Sequence, residues 1–395
     1  MDMKAAFIAG LALASLAQPV AAETTYRAAV IRVDAPGPLP ISRLDLPPAD
    51  QGMAGARLGT ADNATTGAFM KQAFRTDEVI ATPQTVEAEM ARLLEEGVQW
   101  FVLLADAPTQ LRLADMAGDR AIIFNARASD DSLRGADCRA NMLHVAPSDA
   151  MLTDALAQFL VWKRWGDWFV IEGSHPADQA LAASYRRAAE KFGARITQSR
   201  IFEDTGGARR TDSGHVQVQA QMPVFTQGAA AHHVVVAADH SGVFADWLPG
   251  HTWDPRPVAG SAGLRPVTWT PAHEAWGATQ WNSRFEKLAG RPGTPIDYQT
   301  WTALRVIGEA ATRTKGGDFD ALRDYILSPA FDLAAFKGQK LTFRLWDGQL
   351  RQPILLASGN VVTSVSPQAE FLHQVSQLDT LGIDAPESAC TVRRN

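Results

Sequence analysis

A helix with one apolar stripe that passes through a tight turn into an all-apolar strand, and then repeats that order, constrains this chain more than any single motif. The clearest copy opens at Thr82-Pro83, read as N-cap and first helical position. It carries Val86, Met90, Leu93 and Leu94 at helical spacing and stops at Gly97. It continues straight into Val98-Gln99-Trp100-Phe101-Val102-Leu103-Leu104. A second copy opens at Ser148, spaces Leu152, Ala155, Leu156, Phe159 and Leu160 along one face, turns at Trp165-Gly166-Asp167 and enters Trp168-Phe169-Val170-Ile171. Strands without polar alternation are buried on both faces, the condition of a parallel sheet covered by helices. The expected class is therefore α/β. In such sheets ligands collect beyond the carboxyl ends of the strands, so the loops after Leu104 and Ile171 are where binding is expected.

The remaining segments extend the same pattern. Tyr26 to Val33 reads as a first strand and Ala49 to Asn63 as a helix ended by the polar turn Asn63-Ala64-Thr65-Thr66-Gly67. Pro108 to Met116 reads as a helix, Ala121 to Phe124 as a strand, and Cys138 to Val145 as the crossover to a second lobe. In that lobe Pro176 begins a helix reaching Phe192, followed by strands at Ala194 to Phe202, His233 to Ala238 and Val258 to Leu264, with a Gly-rich loop from Gly206 to Gly214. Trp276 to Leu288 and Tyr298 to Thr312 read as helices returning to the first lobe. Leu341 to Trp346 and Leu350 to Ala357 read as a hairpin turned by Asp347-Gly348.

Met1 to Ala22 has the build of a secretory signal: Lys4, an apolar run from Ala5 to Leu16, and small residues at Val20 and Ala22. Cleavage near Ala22 and export to the periplasm are expected. The roughly 370 residues left exceed what one hydrophobic core organises, so two lobes are expected. A formal net charge of -6 gives no basic face for a nucleic-acid partner. The two cysteines, Cys138 and Cys390, suit a structural disulfide in an oxidising compartment, with two buried thiols as the competing reading.

The order of these parts resembles the type I periplasmic binding proteins, the family that includes the leucine/isoleucine/valine-binding components of ABC importers. The likeness rests on Gly55-Ala56-Arg57-Leu58 through Gly67, Cys138-Arg139 followed by Ala146-Pro147-Ser148-Asp149, Tyr298 to Ala311, and Asp347-Gly348. A narrower set is similar to the binding proteins associated with pyrroloquinoline-quinone (PQQ)-dependent alcohol dehydrogenase systems, some of them linked to lanthanide uptake. It comprises Ser42-Arg43-Leu44-Asp45-Leu46-Pro47-Pro48, Ala61-Asp62-Asn63, Trp346 to Pro353, and Leu378-Asp379-Thr380-Leu381-Gly382. The resemblance implies a two-lobed fold, each lobe a parallel sheet flanked by helices. It assigns residues 23–145 and 270–340 to the first lobe, 146–269 and 341–360 to the second, and 361–395 to a tail. It implies a monomer that presents a small molecule to an ABC permease in the inner membrane, without a cofactor and without catalysis. Amino-acid binders of this kind hold a carboxylate in a Ser/Thr-rich loop. The corresponding loop here, Ala105-Asp106-Ala107-Pro108-Thr109, puts an aspartate where it repels one.

The candidate ligand contacts at strand ends are Asp106, Thr109, Asn125 and Arg127 from the first lobe, and Glu172, His175, Asp239 and Ser261 from the second. Two other chemistries compete. A secreted hydrolase wants a nucleophile elbow, and Gly260-Ser261-Ala262-Gly263 lacks its spacing. A hard metal ion, lanthanides included, could use carboxylates and the histidines around His232, His233, Asp239 and His240, although no metal-binding motif is present. Of the eleven tryptophans, Trp247, Trp253 and Trp269 are the candidates for stacking on a ligand.

Overall fold

The computed structural model describes residues 23–35, 40–206 and 217–393, so the segment read as an export signal and nearly all of the loop from Gly206 to Gly214 lie outside the described residues. The first half of the chain runs β1 (Thr24–Val33), α1 (Met53–Met70), β2 (Gln72–Ala81), α2 (Val86–Glu95), β3 (Trp100–Leu104), α3 (Ala107–Ala117), β4 (Ile122–Asn125) and β5 (Met142–His144). Its strands form one parallel sheet in the order β2-β1-β3-β4-β5. The second sheet, also parallel, follows α4 (Asp149–Trp162). It is built from β6 (Asp167–Gly173), α5 (Pro176–Phe192), β7 (Arg195–Phe202), α6 (Val218–Thr226), β8 (Val234–Ala238) and β9 (Val258–Gly260), in the strand order β7-β6-β8-β9.

The pleat explains why the strands read as unbroken apolar runs. In β3, Trp100, Val102 and Leu104 enter one core layer while Phe101 and Leu103 enter the layer on the opposite face. In β8, Val234, Val236 and Ala238 are likewise divided from Val235 and Ala237. Each sheet is therefore sandwiched between two apolar layers, as the expected α/β class requires.

Several boundaries differ from the sequence expectation, each for a local reason. Residues 82–85 form a turn in which Thr82 accepts the amides of Thr85 and Val86 at 3.1 and 3.0 Å, so α2 starts at Val86 with Thr85 as its N-cap residue. The polar segment Asn63 to Gly67 continues α1 instead of ending it. Asn63 is buried and donates to the Leu304 carbonyl at 2.8 Å, and a Cβ on Gly67 would fall 2.4 Å from the Gln72 oxygen. Cys138 to Val145 contains β5, the edge strand of the first sheet, so the crossover is confined to the residues just before the Ser148 cap.

The chain then returns through β10 (Arg265–Val267), α7 (Ala278–Ala289), α8 (Pro295–Arg313), α9 (Phe319–Ile326), β11 (Leu333–Ala334), β12 (Lys340–Phe343), β13 (Leu350–Arg351), β14 (Ile354–Ser358) and β15 (Val361–Ser366). Helices α7 and α8 pack on the first sheet, where Trp269 stacks on Tyr298 with ring centroids 4.4 Å apart. The hairpin expected around Asp347-Gly348 forms only between β12 and β13. Beyond Gln352-Pro353 the strand changes partners, and β14 pairs with β10 and β15. Leu341, Phe343 and Leu350 accordingly join the first-sheet core, whereas Ile354 and Leu356 join the second. Cys138 and Cys390 are bonded to each other, which ties the tail to the loop before β5.

The segments that pass between the lobes are fastened by two buried side chains. Lys337 donates to the carbonyls of Thr268 and Pro353, and Gln352 donates to the Val145 carbonyl at 2.8 Å. One lysine and one glutamine thus join all three crossings.

A candidate ligand cleft between the lobes

The wall of the first lobe is the loop that follows β4, and Asn125 at the end of that strand shapes it. Its side-chain oxygen accepts the amides of Arg127 and Ala128 at 3.0 and 2.9 Å and the Gln110 side chain at 2.8 Å, while its Nδ2 donates to the Ala128 carbonyl at 2.8 Å. Asn125 Nδ2 also faces His144 Nδ1 at 3.1 Å, and burial beside Arg134 holds His144 neutral, well below the usual imidazole range. Arg134 staples the same loop from inside, donating to the carbonyls of Ala128, Asp130 and Ala146 at 3.0, 3.0 and 2.7 Å. An entirely buried asparagine and an arginine therefore fix the backbone of residues 126–130 before any ligand arrives.

Across from this loop stand the N-terminus of α5 and the residues after β8. Two adjoining hollows, of about 420 and 550 Å³, share Ser129 and Asp130 from the first lobe with Ala177 and His240 from the second. The first extends toward Asp106 and Arg127, and the second toward Asp131, Asp149 and Arg187. Together they form a cleft in the size range of small-ligand sites, at the carboxyl ends of the strands. A further hollow of about 640 Å³ lies among Arg265, Thr270 and Ser358, and none of the loops after β1, β3, β4, β6 or β8 reaches it.

The cleft is rich in carboxylates. Asp149 is pushed up to about 6, chiefly by burial and then by the nearby Asp131, against the opposing pull of Ser129 and His240. Burial also raises Asp131, whose oxygen accepts the Ala150 amide at 2.9 Å. Arg187, the cation beside them, is already engaged with Asp154 at 2.5 Å.

Of the eight residues expected from the sequence, Asp106 and Arg127 line the cleft. Asp106 also caps α3, accepting the Thr109 amide at 3.0 Å. Thr109 and Asn125 are buried behind the wall. Glu172 is buried in an ion pair with Arg186 at 2.5 Å and accepts from Ser199 at 2.9 Å. Asp239 spends its oxygens on the amides of Val243, Phe244 and Ala245, and Ser261 accepts the Asp239 amide at 2.9 Å. His175 is the N-cap residue just before α5 and pairs with Asp204 at 2.9 Å, an ion pair that raises its affinity for a proton. The lining residues that the sequence reading passed over as ligand contacts are Ser129, Asp130, Asp131, Asp149, Ala177, Arg187 and His240; the polar loop after the strand at Ala121 to Phe124 was the signal for the first three.

The histidine grouping considered for a metal does not assemble. His232 and His233 precede β8 while Asp239 and His240 follow it, so a strand of about five residues, roughly 16 Å long, separates the pairs. Among the described residues no cluster of three or more His, Cys, Asp or Glu is arranged to hold a metal ion. Trp269 is buried in the first-lobe core, and Trp247 and Trp253 lie in the segment after β8; none lines this cleft.

Residues 80–360 match the sequence model of a family described as periplasmic binding protein. No curated protein matches the chain in sequence. Among solved structures, a leucine-, isoleucine-, valine-, threonine- and alanine-binding protein of Brucella ovis, in its closed conformation, is 13% identical with a TM-score of 0.68, covering 89% of this chain and 92% of that one. A solute-binding protein of an ABC transporter from Rhodopseudomonas palustris, in complex with benzoate, is 10% identical with a TM-score of 0.64, covering 93% of this chain and 99% of that one. A branched-chain amino-acid ABC transporter ligand-binding protein of Burkholderia xenovorans is 15% identical with a TM-score of 0.65 over 85% of this chain and 90% of that one. At these identities the likeness is one of fold: two parallel-sheet lobes flanked by helices.

Proposed function

The chain belongs to the periplasmic binding protein family, and from that premise we propose that it is the substrate-binding component of an ABC importer, closing its lobes over a small organic molecule. The observation that carries this reading is the meeting of Ser129 and Asp130 with Ala177 and His240 across one cleft, from loops at the strand ends of two lobes. A ligand that touches both walls only when they approach shifts the population toward the closed form, and a permease in the inner membrane reads that form. The protein performs no chemistry in this scheme and acts as an exported monomer. Asp106 and Arg127 contact the ligand directly. Thr109, Asn125, Glu172, His175, Asp239 and Ser261 shape the walls.

The structural neighbours named for amino acids and for benzoate support a small organic ligand. The narrower resemblance, through Trp346 to Pro353 and Leu378 to Gly382, supports a role beside PQQ-dependent alcohol oxidation. A thermal-shift screen of the mature protein against alcohols, aldehydes, amino acids, quinone cofactors and lanthanide ions tests the reading, because a ligand selective for the native state raises the melting point. At least one organic member is expected to do so. Turnover of hydrolase substrates with no stabilising ligand would overturn it.

A further inference from the structure

Three segments of the main chain join the lobes, and the C-terminal tail adds a fourth. After β15 the tail runs along the second lobe, where Phe371 packs edge-on against Phe192 of α5 and Gln158 of α4 donates to the Thr380 hydroxyl at 3.1 Å. Leu381 is buried in the second-sheet core. Asp154 of α4 then accepts the Gly382 amide at 2.8 Å, and Lys191 of α5 donates to the carbonyls of Thr380 and Gly382 at 2.9 and 3.0 Å. One residue later the attachment changes lobe. The Ile383 carbonyl accepts Nε1 of Trp346, in the turn between β12 and β13, at 3.4 Å. Cys390 is bonded to Cys138, and Arg393 donates to the carbonyls of Ala140 and Met142 at 2.7 and 2.6 Å, beside the edge of the first sheet.

The changeover is built without slack. Arg344, buried at the end of β12 in the first lobe, donates to the carbonyls of Leu378 and Leu381 and pairs with Asp379 at 3.0 Å, and Arg351 of β13 pairs with the same carboxylate at 2.7 Å. Residues 378–382 are therefore gripped by arginines from the first lobe and by Asp154 and Lys191 from the second. Gly382 has φ +90°, and a Cβ there would lie 2.9 Å from Met151 of α4 and 3.1 Å from Arg344, so bare backbone fills the space between the lobes at this point. Pulling the tail away would strip buried Arg344 of its carboxylate and two of its carbonyl acceptors, a costly loss for a desolvated charge.

We propose that residues 378–393 act as a strap, a fourth crossing fastened by the Cys138–Cys390 bond, which limits how far the lobes open and holds Ile383 in the cleft wall beside Ser129 and Asp149. This rests on the lobes moving against each other, as proposed above. Because the neighbouring residues Gly382 and Ile383 are held by opposite lobes, a wide opening must tear one set of attachments, whereas a small rotation about this point disturbs neither. The range of open states is thereby narrowed, and the fraction of molecules poised to close is raised.

Spin labels at Q84C and Q179C test it in the ligand-free protein. Both positions are exposed, one next to the cleft residue Pro83 and the other two residues beyond Ala177, so pulsed electron spin resonance between them reads the separation of the lobes. A Gly-Ser-Gly-Ser insertion between Gly382 and Ile383 adds up to about 13 Å of reach while leaving the disulfide and the attachments on both lobes in place. C138S/C390S removes the fastening instead. Well below the melting point of each variant, both changes are expected to shift the distances between the labels to longer values and to broaden them. Parental distances in the lengthened protein would overturn the strap, since a loss of stability without slack cannot mimic it. Parental distances in C138S/C390S alone would overturn the disulfide as its fastening. Stabilisation by small molecules is read separately in the thermal-shift screen, so failure of the strap leaves ligand binding standing.

Discussion

The carboxylate of Asp131 accepts the backbone amide of Ala150 at 2.9 Å, so a loop of the first lobe caps the helix that opens the second. The link is a structural joint as much as a cleft feature, because Ala150 lies in the first turn of α4 just after the crossover. Replacing Asp131 with alanine should cost about 1 kcal/mol, the usual effect of losing a helix cap, while asparagine, which keeps an accepting oxygen, should retain most of it. Urea unfolding of the two variants measures the difference, and equal losses would show that the cap is not what Asp131 contributes.

The pairing of Cys138 with Cys390 joins residues 252 apart in sequence. Removing it with the double serine variant is expected to lower stability by about 2–5 kcal/mol. Alkylation of the unreduced parent should label neither cysteine; two labels per molecule would contradict the bridge.

Lys337 supplies a pH signature. It is fully buried, where burial pulls it down to about 7 from the ordinary lysine value, and its contacts are the carbonyls of Thr268 and Pro353 and the rings of Trp269 and Tyr298. Between about pH 7 and 10 the unfolded chain therefore holds a proton on this lysine that the folded protein has released, and stability should climb with pH through that window by at most ~1.4 kcal/mol per unit. K337M removes the titration. The parent-minus-variant stability difference should accordingly change with pH across the window, and a difference that stays flat would mean that Lys337 titrates as it does in water.

How much of this was legible in the sequence follows from where the physics was local. The strands at Trp100 to Leu104 and Trp168 to Ile171, the cap at Ser148 and the helix start at Pro176 depend on short-range pattern, and they are found where the residues indicate. The continuation of α1 past Asn63 depends on a hydrogen bond to Leu304, a residue 241 positions away, and no local signal carries it. The strand at Gln72 to Ala81 was passed over because it is the sheet edge, half exposed, with Arg75, Asp77 and Glu78 breaking the apolar run. The loops after Leu104 and Ile171 do reach the cleft, through Asp106 and Ala177. Polarity alone, however, does not distinguish an aspartate that lines the cleft, such as Asp130, from one that ties down its own loop, such as Asp239.

The central claim, that ligand sits between the 126–130 loop and the start of α5, is tested most directly at Ala177. This exposed residue lines both hollows, so a tryptophan there fills the gap without entering either core. Calorimetric titration of the most stabilising compound from the thermal-shift screen into parent and A177W should show binding in the parent and at least a hundredfold loss in the variant, with the ligand-free melting points within about 2 °C of each other. Undiminished binding by a normally folded A177W would contradict the account.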